Sequence, residues 1–258
     1  CKSKFGVVDT GSFLYFVDLN NKKFMRFDGN TDQCVSDKDN LSSFFRTFNY
    51  GDILIKDSTA NGIGIHGVFD PVNKRVLYTM LGNDSSTFSF NEVLDNFESF
   101  YSFKPTIYEN TDFGVISVNP NNIEECYLHN SGNRGVFYGT AYDSYITHII
   151  SPNPDIKKVF NNLEFNSYVQ VNNNDVYDRT INNIQLWNSF QDTGNIVLSE
   201  PTNIRRRFRT WRYQMPRVSS LRLIDYFLYV KLSFTNSISE DTYFRLDDIT
   251  THYLLPMI

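Results

Sequence analysis

"VFDPVNKRVLYT", residues 68–79, decides how the rest of the chain is read. Its centre, Asp70-Pro71-Val72-Asn73-Lys74, is turn chemistry. Proline presets φ, and Asp and Asn side chains bond nearby backbone N–H groups. The flanking runs are β-branched and aromatic, so the stretch predicts a β-hairpin. The same frame stands at "FVDLNNKKFMRF", residues 16–27, where Asp18, Asn21, Lys22 and Lys23 match Asp70, Asn73, Lys74 and Arg75. A weaker copy, "SVNPNNIEECYLH" (117–129), sets Asn119-Pro120 against Asp70-Pro71. The copies recur roughly every 50 residues, a period that suits one four-stranded β-propeller blade per repeat.

Two or three blades cannot close a ring. Residues 1–110 are therefore expected to be incomplete propeller blades, completed by another chain or by a missing part of the same polypeptide. A start at Cys1 rather than Met fits a C-terminal piece of something longer.

Composition points the same way. Alanine, the best helix former, occurs only at Ala60 and Ala141, whereas asparagine occurs 29 times and aromatics make up 16% of the 258 residues. Asn favours turns, and Tyr and Phe favour strands. The chain reads as all-β with many tight connections. One short helix is expected within "SFNEVLDNFESFYSF" (89–103), where Ser89 and Glu92 form a capping box and Val93, Leu94 and Phe97 share a face.

Beyond about residue 112 the repeat gives way to short alternating segments. Strands are expected at 113–118, 124–129, 135–139, 145–150, 166–171, 176–181, 184–190, 195–199, 206–215, 223–235 and 243–247. Such spacing predicts a β-sandwich-like C-terminal domain over 111–258.

The net charge of -5 is spread along the chain, so no general polyanion-binding surface is implied. No apolar run is long enough to span a bilayer. Cys1, Cys34 and Cys126 are odd in number and far apart, against a disulfide framework or a zinc site. "GIGIHG" (62–67) matches G-x-G-x-x-G, but a strand follows it where a dinucleotide site needs a helix N-terminus. "DGNTDQCVSDKD" (28–39) spaces Asp28, Asn30, Asp32, Ser36 and Asp39 like a Ca²⁺ loop, yet Gln33 occupies the position that requires glycine. A solvated loop is the expectation there.

His66, His129, His148 and His252 form no metal-binding pattern. On strands, Glu124-Glu125 and Asp247-Asp248 would point to opposite faces and make no acid/base couple. No cofactor, metal or catalytic set is expected, and an enzyme is disfavoured.

"NIRRRFRTWRYQMPRV" (203–218) holds six arginines. A strand over 206–215 would put Arg207, Arg209, Trp211, Tyr213 and Met215 on one face, and Arg206, Phe208, Thr210, Arg212 and Gln214 on the other. Nucleic acid calls for aromatics exposed among the cations. Mixed faces suit carboxylate pairing and aromatic stacking better. Arg206, Arg207, Arg209, Trp211, Arg212 and Tyr213 are thus expected at an architectural or subunit interface. Glu200, Asp225, Asp247 and Asp248 are the candidate partners.

Several segments together resemble a family. "FDPVNKRVLYTM", "FNEVLDNFESFYSFKP", "YLHNSGNRGVFYG", "SYITHIISPNPDIKKVFNNLEF" and "RTWRYQMPRV", followed by "YVKLSF", are similar in content and order to the muzzle, or tail-stabilisation, proteins of crAss-like bacteriophages. The resemblance runs from about residue 50 to the C-terminus. It implies a non-enzymatic virion protein at the distal end of a short tail. Such a protein would assemble as a ring with copies of itself and other tail proteins. It would close the tail tube and rearrange during genome ejection. Transient contact with phage DNA as it passes the tail is a separate hypothesis, which steeply salt-dependent binding would reveal. Members are much longer than 258 residues, which implies a C-terminal part joined to an N-terminal part of the same polyprotein, and they offer no catalytic residues to carry over. The alternative is a carbohydrate- or receptor-binding module that displays Tyr and Trp to host glycans, which a glycan array would reveal.

Overall fold

Aspartate and asparagine side chains fold the repeated hairpins. In the computed structural model, which describes residues 3–38, 40–54, 57–58 and 62–255, the Asp18 carboxylate accepts the N–H groups of Asn20 and Asn21 at 3.0 and 3.3 Å. Asp70 does the same for Val72 and Asn73 at 3.1 and 3.3 Å. Lys22 and Lys74 then close their turns with φ of 54° each. These turns join β2 (Leu14–Asp18) to β3 (Lys23–Phe27), and β7 (Ile65–Asp70) to β8 (Arg75–Leu81).

With β1 (Val7–Asp9) and β4 (Asp32–Cys34), β2 and β3 make a first antiparallel sheet in the order β1-β2-β3-β4. Two short helices, α1 (Val35–Lys38) and α2 (Ser42–Thr47), follow, and β5 (Asp57–Ser58) pairs with β6 (Gly62–Ile63). A second sheet adds β9 (Ser85–Asn91) and β10 (Asn96–Tyr101) to β7 and β8, again as a four-stranded meander. A third, three-stranded sheet holds β11 (Tyr108–Thr111), β12 (Gly114–Asn119) and β13 (Asn122–Leu128).

The helix expected within 89–103 is absent. Asn91 Oδ1 accepts the N–H groups of Val93 and Leu94, both at 2.9 Å, and Asp95 takes φ 53°, so this segment makes the same turn as Asp18 and Asp70. The capping box is dissolved by its surroundings. Glu92 accepts the Thr10 hydroxyl at 2.7 Å, while Ser89 is buried beside Glu98 and Tyr101. At Asn119 the connection to β13 is shorter, and Asn119 pairs directly with Asn122.

The first and second sheets face each other across an aromatic core. Tyr15 and Phe24 meet Tyr78, Phe88 and Phe90, with Phe45 of α2 closing one side. Ring centroids of Phe24 and Tyr78 lie 5.1 Å apart, and those of Phe24 and Phe88 5.4 Å apart, both edge to face, the favoured geometry for aromatic pairs. The opposite side of the second sheet is buried yet polar. Thr79 bonds both Thr87 and Tyr108 at 2.8 Å, and His66 sits beside the Tyr108 ring. β8 and β9 are therefore covered on both faces.

Residues after 131 form a separate unit, so the chain divides into Cys1–Ser131 and Gly132–Ile258. The division was expected near residues 110–111. It falls later because the third sheet packs on β7, and its Tyr108 hydroxyl shares a buried hydrogen bond with Thr79 of β8.

The second unit opens with the small hairpin of β14 (Val136–Phe137) and β15 (Thr140–Ala141). Its strands continue as β16 (Ser144–Ile150), β17 (Lys158–Val171), β18 (Asn174–Val176), β19 (Asn183–Trp187) and β20 (Ile196–Val197). They end with β21 (Ile204–Arg207), β22 (Thr210–Gln214), β23 (Leu223–Asp225), β24 (Leu228–Phe234) and β25 (Thr242–Leu254). One sheet runs β16-β24-β19-β20; the other is centred on β17, which pairs with β18, β22, β23 and β25. Alternate residues Leu228, Val230, Leu232 and Phe234 are buried, as their period of two predicts. They share one core with Phe160, Leu163, Phe165, Trp211 and Tyr213 of the β17 sheet, except that Phe234 lies against Phe244.

The asparagine content has a structural outlet. Asn40, Asn130, Asn153, Asn172 and Asn173 all occupy positive φ, where Asn is tolerated far better than β-branched residues.

Candidate interaction site

The arginine segment is a hairpin rather than one strand. β21 and β22 pair Arg207 with Thr210 across a two-residue turn, and Phe208 takes φ 58° with 90% exposure. The expected faces hold only from Thr210 onward. Trp211, Tyr213 and Met215 point into the core of the second unit, each at most 7% exposed. Arg212 and Gln214 point out.

Each predicted residue now has a place. Trp211 and Tyr213 are core residues of the second unit, each 2% exposed. The Arg206 guanidinium lies 5.7 Å from the Trp211 ring centroid and 5.6 Å from that of Tyr177, and it donates to the Tyr177 carbonyl. Arg212 Nε sits 3.2 Å from Glu164 Oε1, directly across the β17–β22 pairing. His252 of β25 approaches the same carboxylate at 3.5 Å. Arg207 and Arg209 are exposed at the hairpin end, with Arg207 above the Phe208 ring.

The expected carboxylate partners have other tasks. Glu200 accepts the backbone N–H of Arg206 at 3.2 Å, and Asp225 accepts those of Ser189 and Tyr226. Asp247 pairs with Arg245 at 2.6 Å, and Asp248 accepts the Asn166 N–H. Glu164, the real partner of Arg212, was missed because it lies on the long strand β17, far away in sequence. Only the strand register brings the two together.

The Arg212–Glu164 pair is half exposed on the arginine side, and pairs of this kind contribute about 0–1 kcal/mol. Arg212→Ala is expected to lower the stability of the second unit by less than about 1 kcal/mol, whereas Trp211→Ala should cost about 3–5 kcal/mol. Urea denaturation followed by tryptophan fluorescence for the first variant, and by circular dichroism for both, checks the contrast.

Sequence reasoning also missed a cleft of about 570 Å³ in this unit, lined by Ile146, His148 and Ile149 of β16 and by Leu246, Ile249 and Tyr253 of β25. Both are edge strands, and no periodicity marks an edge. Burial lowers the pKa of His148.

The remaining sequence motifs have structural roles. Gly64 and Gly67 allow close packing: a Cβ at Gly67 would stand 2.7 Å from Val8 and 2.8 Å from Tyr78, and one at Gly64 would stand 2.4 Å from the Ile53 carbonyl. Strand β7 follows Gly64, so no helix N-terminus faces this loop. In the loop at 28–39, Asp28 accepts the N–H groups of Asn30 and Thr31, while the buried Ser36 hydroxyl accepts that of Phe24. Asp39 lies outside the described residues. Among the described residues, no three histidine, cysteine or carboxylate side chains converge as metal ligands. Cys34 and Cys126 carry free thiols, and Cys1 lies outside the described residues. No helix of the described residues is long and apolar enough to cross a membrane.

One polar cluster in the first unit is more elaborate. Asp70 is 1% exposed and accepts from Asn73 Nδ2 at 2.8 Å, Asn130 Nδ2 at 3.1 Å and Arg75 Nε at 3.1 Å. Arg75 also donates to the Tyr101 hydroxyl at 2.8 Å. Burial alone would raise the Asp70 carboxyl, but these hydrogen bonds and the Arg75 charge hold it below its ordinary 3.8. Nearby, burial pushes His66 and His129 down to about 4. Both rings are therefore neutral at pH 7.

Comparison with known proteins accords with this architecture. The family model described as Crassvirus muzzle protein matches residues 1–121, and the model described as Crassvirus muzzle protein C-terminal domain matches residues 132–218. The gap between the two matches brackets the structural division after Ser131. The muzzle protein of Bacteroides phage crAss001 is 23% identical over 270 aligned residues, covering 98% of this chain and 18% of that relative's length. With muzzle-family matches falling on both of its structural units, the chain belongs to the crassvirus muzzle protein family.

Proposed function

We propose that this chain is a structural part of a crAss-like phage virion, placed at the distal end of the tail and acting through packed β-sheet faces. The observation that carries the reading is the alignment of nearly the whole chain with a muzzle protein. The perturbed titratable groups agree with it. His66, His129, Asp70 and Arg75 lie between packed sheets and hold them together, rather than lining a cleft.

In this reading the stacked sheets of the first unit are consecutive propeller blades, and the second unit is a sandwich-like domain. The chain assembles with other copies and other tail proteins into a ring that closes the tail tube and rearranges at genome ejection. Arg207 and Arg209, exposed at the β21–β22 turn, face such neighbours. Mass spectrometry of purified virions, combined with immunogold labelling, is expected to find the chain at the tail tip in a fixed ratio to other tail proteins. Its absence from purified particles would overturn the proposal.

A further inference from the structure

The first sheet carries an apolar row that no core of its unit uses. Strand register aligns Val7, Phe16, Met25 and Cys34 side by side across β1 to β4, with Leu14 paired to Phe27 next to them. Their chain neighbours Val8, Tyr15 and Phe24 are buried in the core, so by strand alternation the row points the other way. Val7 is 41% exposed, and the other five are partly exposed. Among the described residues, none of the six belongs to the buried cluster or to the side chains packed on it. A contiguous apolar strip of this kind marks an interaction surface.

Its shape says what fits. The row itself is pleated, uncharged and four strands wide, with Asp9, Asp32, Asp18 and Lys23 at the margins of the same face, and pleated faces pack on other sheets about 10 Å away. The unit already uses that solution on the inner side of the same sheet, where the second sheet seats on Tyr15 and Phe24. Material for a further layer exists in the family, because this chain aligns with only 18% of its crAss001 relative.

We infer that a further antiparallel β-sheet, supplied by muzzle sequence outside these 258 residues, seats its apolar face on the row Val7–Phe16–Met25–Cys34. The inference rests on the blade reading proposed above and assigns the surface on which the stack continues.

The test places the photo-crosslinker p-benzoylphenylalanine at Phe16 in full-length protein within assembled particles and identifies the captured peptide by mass spectrometry. The expected product joins Phe16 to a muzzle peptide outside residues 1–258. Capture of residues within 1–258, from the same or a second copy, would overturn the inference. So would capture of a different virion protein, or no capture. Val7→Cys supplies a milder readout in case the bulky probe impairs assembly. In native particles its thiol should react with a small maleimide at least tenfold more slowly than in urea-unfolded particles, and equal rates would overturn the inference. The two readings fail separately. Chain peptides missing from particles sink the virion role, whereas chain peptides present with a bare row sink only the added sheet.

Discussion

Phe24→Ala is expected to lower the stability of the first unit by about 3–5 kcal/mol, the range for truncating a buried aromatic. Phe24 is fully buried, and its ring lies within 6.2 Å, centroid to centroid, of Tyr15, Phe45, Tyr78, Phe88, Phe90 and Phe97. These rings come from both stacked sheets and from α2. Truncation therefore opens a cavity where three elements meet, and the β-sheets on either side cannot collapse into it without losing their own pairing. Natural domains have total stabilities of about 5–15 kcal/mol, so a loss of this size removes much of the total. Urea denaturation followed by near-ultraviolet circular dichroism is the check. The outward-facing Met25, one residue away, supplies the control: Met25→Ala in the isolated chain should cost far less, because its side chain lies outside that core.

Mild acid should destabilise the same unit through its buried histidines. His66 is 1% exposed, and burial holds its pKa at about 4, against 6.5 in an unfolded chain; His129 is shifted to about 4 by the same cause. Between these values the unfolded state takes up protons that the folded state refuses. Stability contributed by the neutral rings is thus complete above pH 6.5 and falls as pH drops toward 4. One histidine changes the unfolding free energy by up to about 1.4 kcal/mol per pH unit, so two fully shifted rings together account for several kcal/mol across this window. Asp70 acts in a different range. Its folded pKa is depressed below 3.8, so its contribution is present above the unfolded value and is lost only at lower pH. Urea midpoints at pH 7.5 and 5.0 should differ markedly, and His66→Leu should reduce the difference. A midpoint unchanged between the two pH values would contradict the buried neutral state.

Much of the first unit was legible because its turns are written in side-chain chemistry. Asp18 and Asp70 bond the N–H groups that a four-residue loop leaves over, and the repeat records that need twice. Asn91 carries the same turn with different neighbours, Glu-Val-Leu, which also fit a helix; burial of Phe88 and Phe90 in the sheet overrode that local signal. In the second unit, alternation located β24 but could not show that the basic stretch folds back at Phe208, since Phe and Arg carry no turn signal. The predicted site was only partly legible. Trp211 and Tyr213 looked like interface aromatics, and their burial came from strand pairing with β17. The Arg212 partner, Glu164, depended on a register that no local pattern encodes.

A cryo-electron microscopy reconstruction of the tail tip of a phage carrying this chain tests the account most directly. The predicted result is density for the three stacked sheets of residues 1–131, with another antiparallel sheet lying on Phe16 and Met25. Density showing that face open to solvent, or no density for the chain at the tail tip, would contradict it.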